Sequence, residues 1–387
     1  MIAAGAGLGW ALTRNGGSST ATGSSAPPQT SPSTTQKPKT ASVVIRPSDG
    51  ASQLPLNTIV AVTALNSRLI SVQVAGPDGK AVPGTLSGTS QSWQSAGPLA
   101  PSLRYTVNVT GESLTGQPVQ QTSQFTTETP KAILQAQIFP TEGITVGVGM
   151  PIQIRFNKPV ANKAAVLAAM QVTESTPVTG GWHWFTDKEL HFRPTVYWPA
   201  GEHVTVTANL AGLDAGNGVW ALANNTVHFV VGDSHISEAN VATHVMTVST
   251  NGQVVKTIPI SAGRTQYPTM DGVHIALYRQ QDVHMVSSTV GIPVNSPDGY
   301  DEHVFWDVNI SDGGEFVHAA PWSTGAQGNS NVSHGCVNLS VADATWFFNY
   351  SHVGDVVSVV GSPRTASLTD HGTMDWGIPA AQWTPAT

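Results

Sequence analysis

Between residues 41 and 130 the chain runs in short segments in which apolar and polar side chains alternate: "SVVIRP", "TIVAVTA", "ISVQVAG", "RYTVNVTG" and "SQFTTET". A period of two is the signature of half-buried strands, and turn formers such as "PDGK" and "TGQP" separate the segments. The spacing predicts a small antiparallel β-sandwich of immunoglobulin-like architecture over 41–130. The plan recurs over 131–233 with "ITVGV", "PIQIRF", "ELHFRP", "HVTVTANL" and "VHFVVG". Two tandem sandwiches are therefore expected. "NKAAVLAAM" (162–170) is the one helical-looking insertion, because its apolar residues do not alternate. Trp93, Trp182, Trp184 and Trp198 are read as core in preference to a sugar-stacking surface. His183, His191, His203 and His228 stand at no metal-ligand spacing and are read as partly buried or surface residues.

From Ser234 the pattern changes. "HVMTVSTNGQVVKTIPIS" is a strand, an Asn251-Gly252 turn and a second strand. Strands follow at "HIALYR" and "GEFVHAA", then a loop with a cysteine, then "LSVADATWFFNY", where Ser340 caps a helix with Asp343 as reciprocal partner. "DVVSVV" closes the unit as a buried strand. The third unit, 234–361, is thus mostly β and places its cysteine on a loop between a strand and a helix, with 362–387 as a C-terminal extension.

Composition agrees with strands and turns. Charged residues are 11% of the 387, against about 25% in an average domain, with 38 Gly and 26 Pro. The net charge is -7 and no Lys/Arg cluster is present, so nucleic acid is not an expected partner. The opening residues 1–16 hold a mostly apolar stretch, Ile2 to Leu12, too short to span a bilayer, which needs about 20 residues. It reads as the remnant of an export signal or membrane anchor, with no cysteine following to take a lipid. Residues 17–40 are a Ser/Thr/Pro linker with almost nothing to bury.

Cys336 is the only cysteine, in "NVSHGCVNLS". A lone cysteine is most often a small buried hydrophobe. Yet chance places a histidine and then a glycine before it only about once in 300. A residue without Cβ lets a substrate carbonyl approach main-chain N–H groups, as an oxyanion hole requires. A free thiol is only about 3% thiolate at pH 7, so a nucleophile needs a base or a positive field, and His334 and His318 are at hand. Lowering the thiol pKa by two units corresponds to about 2.7 kcal/mol of differential interaction. The helix near Ser340 starts four residues downstream, and its dipole adds little.

"FVHAAPW", 14 residues between His318 and Ser333, and "SHGCVN" resemble the signature of the L,D-transpeptidases with a YkuD-type catalytic domain, which cross-link bacterial peptidoglycan. The resemblance covers about residues 236 to 361 and extends to "SSTVGIPVNSPDGY" and "MDWGIPAAQW". The tandem sandwiches match the multi-domain mycobacterial members. The resemblance implies that Cys336 attacks as thiolate and that His318 is its base, held by the carbonyl of Ala319. Ser333, His334 and Gly335 would shape the loop, with N–H groups of Gly335 and Cys336 as oxyanion donors, and Asn338 would orient the loop or the substrate. The segment 285–315 would be a lid, with Met285, Tyr300 and Trp322 lining the donor pocket; the bottom-up alternative for Met285 and Trp322 is core. One departure is Val290, where relatives carry tyrosine; it bears on donor affinity and inhibitor preference, not on the chemistry. Trp376 and Trp383 would anchor the C-terminal tail.

The implied activity is a 3→3 cross-link. Cys336 takes the acyl group of a tetrapeptide stem, D-alanine leaves, and a diaminopimelate-type acceptor amine resolves the thioester. Carbapenems would acylate Cys336. Three rivals stay open: an L,D-carboxypeptidase with water as acceptor; a wall-binding protein with an inactive third domain; and a zinc site of His303, His318, His334 and Cys336, which "HGC" spacing disfavours because its ligands are two apart and no Cys-x-x-Cys or His-Glu-x-x-His accompanies it. No metal or cofactor is expected, and the location is extracytoplasmic.

Overall fold

The computed structural model describes residues 16–17 and 40–383. The apolar stretch 2–12 and nearly all of the expected linker lie outside the described residues. The chain divides into two compact units, 1–40 and 41–387. No helix among the described residues is long and apolar enough to cross a membrane.

The alternation read from the sequence becomes pleat. Ser42–Arg46 alternates exposed and buried side chains and pairs antiparallel with Ala61–Leu65, which continues through Ser92–Ser95 to Gly84–Leu86. The facing sheet orders Ala51–Leu54, Pro118–Thr127, Arg104–Ser113 and Ser67–Ala75. Val43, Ile45, Val62, Trp93, Val107 and Phe125 fill the space between them.

The second sandwich stacks the sheet of Ala136–Phe139, Ile152–Phe156, Glu189–Pro194 and Gly180–Trp184 on that of Thr145–Val146, Asn225–Val231, His203–Ala208 and Met170–Glu174. Its helical insertion is α1 (Lys163–Ala168), started by the side chain of Asn162, which accepts from the N–H of Ala165. Trp93 and Trp198 are buried, and Trp182 and Trp184 pack against the second core. His191 departs from expectation: it is fully buried, held by Asp375 at 2.9 Å and Glu189 at 3.2 Å. The second core takes in Ile275 and Val356 from the third unit, so the two share one apolar interior.

The third unit has two sheets. One orders β3 (Gln253–Pro259), β2 (Val245–Thr250), β1 (His235–Asn240), β9 (Val356–Val360) and β4 (Gly272–Ile275). The other orders β5 (Tyr278–Val286), β6 (Asp301–Asn309), β7 (Phe316–Ala319) and β8 (Val337–Leu339). "HIALYR", expected as one strand, is broken between Ile275 and Tyr278 because its halves belong to different sheets. At the β2–β3 turn Asn251 and Gly252 have φ of 48° and 78°, which suits an asparagine–glycine pair. Helix α2 (Val341–Tyr350) is capped by Ser340, whose hydroxyl accepts from Asp343 N–H, and buries Ala344 and Phe347 against the core of Val308, Val317, Val337 and Leu339. The tail packs back on this unit, with Gly372 O accepting from Ile275 N–H, and reaches the second sandwich as well. There α3 (Met374–Gly377) and the following turn place Trp376 and Trp383 on either side of Arg193, 4.7 and 4.4 Å from its guanidinium, with their indole N–H groups donating to Gly149 O and Gly181 O.

Candidate active site

Strand β7 decides where His318 lies. Val317 and Ala319 face the core, so the residue between them is turned to the opposite face of the sheet and lines a pocket there. Parallel pairing sets His318 beside Asn338 of β8, two residues after Cys336. The Nδ1–H of His318 donates to Ala319 O at 2.9 Å, which leaves Nε2 with its lone pair free.

The cysteine loop is held from within. Ser333 Oγ donates to Cys336 O at 2.6 Å and accepts from Gly335 N–H at 3.1 Å. That second bond occupies one of the two N–H groups expected to serve an oxyanion. Gly335 has φ of +132°, where a side chain is strained, and an added Cβ would stand 3.2 Å from the carboxylate of Glu315. Asn338 donates from Nδ2 to Ser323 Oγ at 3.1 Å, and its backbone bonds Ser261 in both directions. Cys336 differs from expectation in one detail: the short strand β8 stands between it and the helix, which starts at Ser340 as expected.

The electrostatics run against a resting thiolate. Burial pushes the Cys336 thiol up to about 12, with Glu315 and Asp307 adding to the rise, while the N–H of Phe316 directed at the sulfur opposes it. Burial likewise brings His318 down to about 4. The thiol donates to Gly314 O at 3.8 Å. His334 supplies no positive charge beside the sulfur: Arg264 donates to its Nε2 at 2.9 Å, and burial and that cation both lower its pKa. Desolvation therefore favours a neutral thiol and a neutral imidazole over a resting thiolate–imidazolium pair, because it disfavours both charged forms.

Two cavities meet at Cys336. One, about 240 Å³, is lined by Met285, Tyr300, His318, Trp322, Ser333, His334, Cys336 and Asn338, with Glu302 and Val304 from β6. The other, about 480 Å³, shares Tyr300, His334 and Cys336 and adds Glu315, Arg364, Val290 and Ile292. Met285 and Trp322 line the first; Trp322 is 57% exposed, which removes the core alternative for it. Tyr300 and Tyr267 flank the His334 ring at 5.0 and 5.1 Å, and Arg264 is paired with Asp298 at 2.5 Å. The 285–315 segment is less loop than expected, since β5 and β6 form a long hairpin whose irregular tip runs from 287 to 300. His303 does not join the site. It stacks on His284 at 4.7 Å and bonds Asp282 at 2.8 Å, so the four residues of the zinc reading are not brought together.

The tail supplies a part the motif does not contain. Asp370 accepts from Ser311 Oγ at 2.6 Å and from the N–H groups of Asp312, Gly313 and Gly372 at 3.1, 2.9 and 2.8 Å. Burial works against its ionisation, yet these four donors hold the carboxyl below its usual range. They fix the turn that ends in Gly314, the acceptor of the thiol, and Glu315, which lies under Gly335 and pairs with Arg364 at 2.6 Å. Asp370, Arg364 and Arg264 carry no local sequence signal; only their distance from "SHGC" in the chain hid them.

Residues 234–359 match the model of the L,D-transpeptidase catalytic domain, and residues 51–214 that of a bacterial Ig domain. L,D-transpeptidase 2 of Mycobacterium tuberculosis is 39% identical over 335 residues, 87% of this chain and 82% of that one. The chain belongs to the L,D-transpeptidase family. L,D-transpeptidase 5 of the same organism is 33% identical over 88% of this chain and 76% of its own. The solved structure of the L,D-transpeptidase LdtMt1 in complex with imipenem superposes with a TM-score of 0.52 at 36% identity, covering 58% of this chain and 97% of that one. The family's catalytic domain thus coincides with the two sheets and the cysteine loop described above.

Proposed function

We propose that this chain is a peptidoglycan L,D-transpeptidase acting outside the cytoplasm through a cysteine acyl-enzyme. The observation that carries the reading is a single thiol and a tautomerically fixed imidazole on adjacent parallel strands, lining one cavity, in a chain of this family. His318 Nε2 takes the thiol proton as the sulfur attacks the carbonyl of a tetrapeptide donor. With both partners neutral at rest, proton transfer accompanies C–S bond formation, so no free thiolate accumulates. The imidazolium then gives that proton to the departing D-alanine nitrogen. A diaminopimelate-type amine attacks the thioester next, loses its proton to Nε2, and the thiol is restored.

Of the expected oxyanion donors, the N–H of Cys336 is the one we retain, since Gly335 N–H is engaged by Ser333. Ser333 ties the loop, His334 with Arg264 forms the wall between the cavities, and Asn338 holds the 321–323 turn to β8. Tyr300, Met285 and Trp322 contact the donor. No step calls for a metal or a cofactor. The domain division we propose is 41–130 and 131–233 for the two sandwiches, 234–361 for the catalytic domain and 362–387 for the extension. Carbapenems acylate Cys336 on this reading.

Incubation of the protein with a disaccharide-tetrapeptide, followed by mass spectrometry, tests it. D-alanine release with a cross-linked dimer is expected. Tripeptide without dimer would make it a carboxypeptidase, and unchanged substrate with no adduct on Cys336 would favour a wall-binding role.

A further inference from the structure

Two imidazoles and a carboxylate converge in the five-stranded sheet, apart from the sheet that carries His318. Asp355 Oδ2 lies 3.0 Å from His235 Nδ1 and 3.8 Å from His352 Nδ1. One donor atom from each residue falls within 4.8 Å of the others. Two ligands about 2.0–2.1 Å from a tetrahedral zinc ion stand about 3.3 Å apart, and the two measured edges bracket that separation. Neutral imidazole and carboxylate are the nitrogen and oxygen donors that such ions accept.

The three ligands are not equally exposed, and that division suits capture of an ion. His235 is buried, its ring stacked on Tyr350 at 4.0 Å and 22°, and the Tyr350 hydroxyl bonds Thr250 Oγ1 at 2.7 Å. Asp355 is 4% exposed; its Oδ2, which faces the imidazoles, also accepts from His352 N–H at 2.7 Å, while its other oxygen, Oδ1, on the side of Gly147, has no hydrogen-bond partner, an arrangement that is costly for a buried carboxylate. His352 has a half-exposed side chain, which leaves an entry path from solvent.

We propose that His235, His352 and Asp355 bind one divalent transition-metal ion of the zinc type, with solvent completing its shell. The site would join the first strand of the catalytic domain to the 352–355 turn. That turn already receives the second sandwich: Gly147 N–H donates to Val353 O at 2.8 Å and Gly149 N–H to Gly354 O at 2.9 Å. Occupancy would therefore stabilise the junction between the two domains, by mass action on the folded state.

Titration of the full chain with Co²⁺ tests the proposal. One equivalent is expected to give the visible absorption of nitrogen–oxygen coordination without a sulfur-to-metal charge-transfer band, to be displaced by Zn²⁺, and to raise the melting temperature. His352→Ala is expected to weaken binding about tenfold or more and to abolish the shift in melting temperature, while acylation of Cys336 by imipenem is unchanged. Asp355→Asn provides a second variant with the same expectation. A charge-transfer band that disappears in Cys336→Ala, equal affinity in His352→Ala, or no binding at all would overturn it.

Discussion

At the scale of residues, the thiol and its base are matched in neutrality. Burial favours the neutral form of each, pushing Cys336 up to about 12 and His318 down to about 4. A linkage consequence follows for His318, which is 4% exposed. Its unfolded pKa near 6.5 exceeds its folded value, so between pH 4 and 6.5 the unfolded chain binds the extra proton. Stability then rises with pH across that window and is lost as pH falls, by about 3 kcal/mol in all. His318→Gln should flatten the acid side of the stability profile while suppressing acylation, which melts from pH 4 to 7 and intact-protein mass spectrometry check. Gly335→Ala meets both a positive φ and the Glu315 carboxyl. It should cost about 1–3 kcal/mol and slow acylation by more than tenfold, because the loop that carries the nucleophile has to shift.

Elements show what could be read from the chain and what could not. Strands announced themselves where one face is buried and the other wet, as in Ser42–Arg46 and Arg104–Tyr105 onward, since a period of two survives without any tertiary information. The break at Ala276 and Leu277 was hidden because the six residues run on without a turn former and only sheet membership separates the halves of "HIALYR". The His318–Cys336 pairing was legible as a motif, but its charge state was not. Desolvation depends on what covers a group, and nothing in "SHGC" records that. The four-donor clamp of Asp370 was equally silent, since three of its four partners lie 57 to 59 positions away. Asp370→Ala should destabilise the protein by about 2–4 kcal/mol through the buried donors left unpaired, and should slow acylation of Cys336 by freeing Gly314. Thermal melts and acylation rates read the two effects separately.

Across the whole molecule, the tail binds the second sandwich and the catalytic domain into one body. His371 bonds Glu189 of the sandwich at 2.8 Å and Asp312 of the catalytic turn, and Glu189, first of the two, is the larger cause of its rise to about 9. A histidine with a raised folded pKa contributes stability that is complete below about 6.5 and is lost as pH climbs through about 9. His371→Gln should therefore lower the melting temperature at pH 6 and change it little above pH 9, with Trp376→Ala lowering it at every pH.

The measurement that bears most directly on the account is the rate of Cys336 acylation by imipenem as a function of pH, followed by mass spectrometry in the native protein and in His318→Gln. A neutral thiol–imidazole pair predicts a native rate that stays level through pH 6–7 and declines only toward the value of about 4 assigned to His318, together with a large loss in the variant. A rate that rises in proportion to hydroxide, alike in both proteins, would show an unassisted thiol and contradict it.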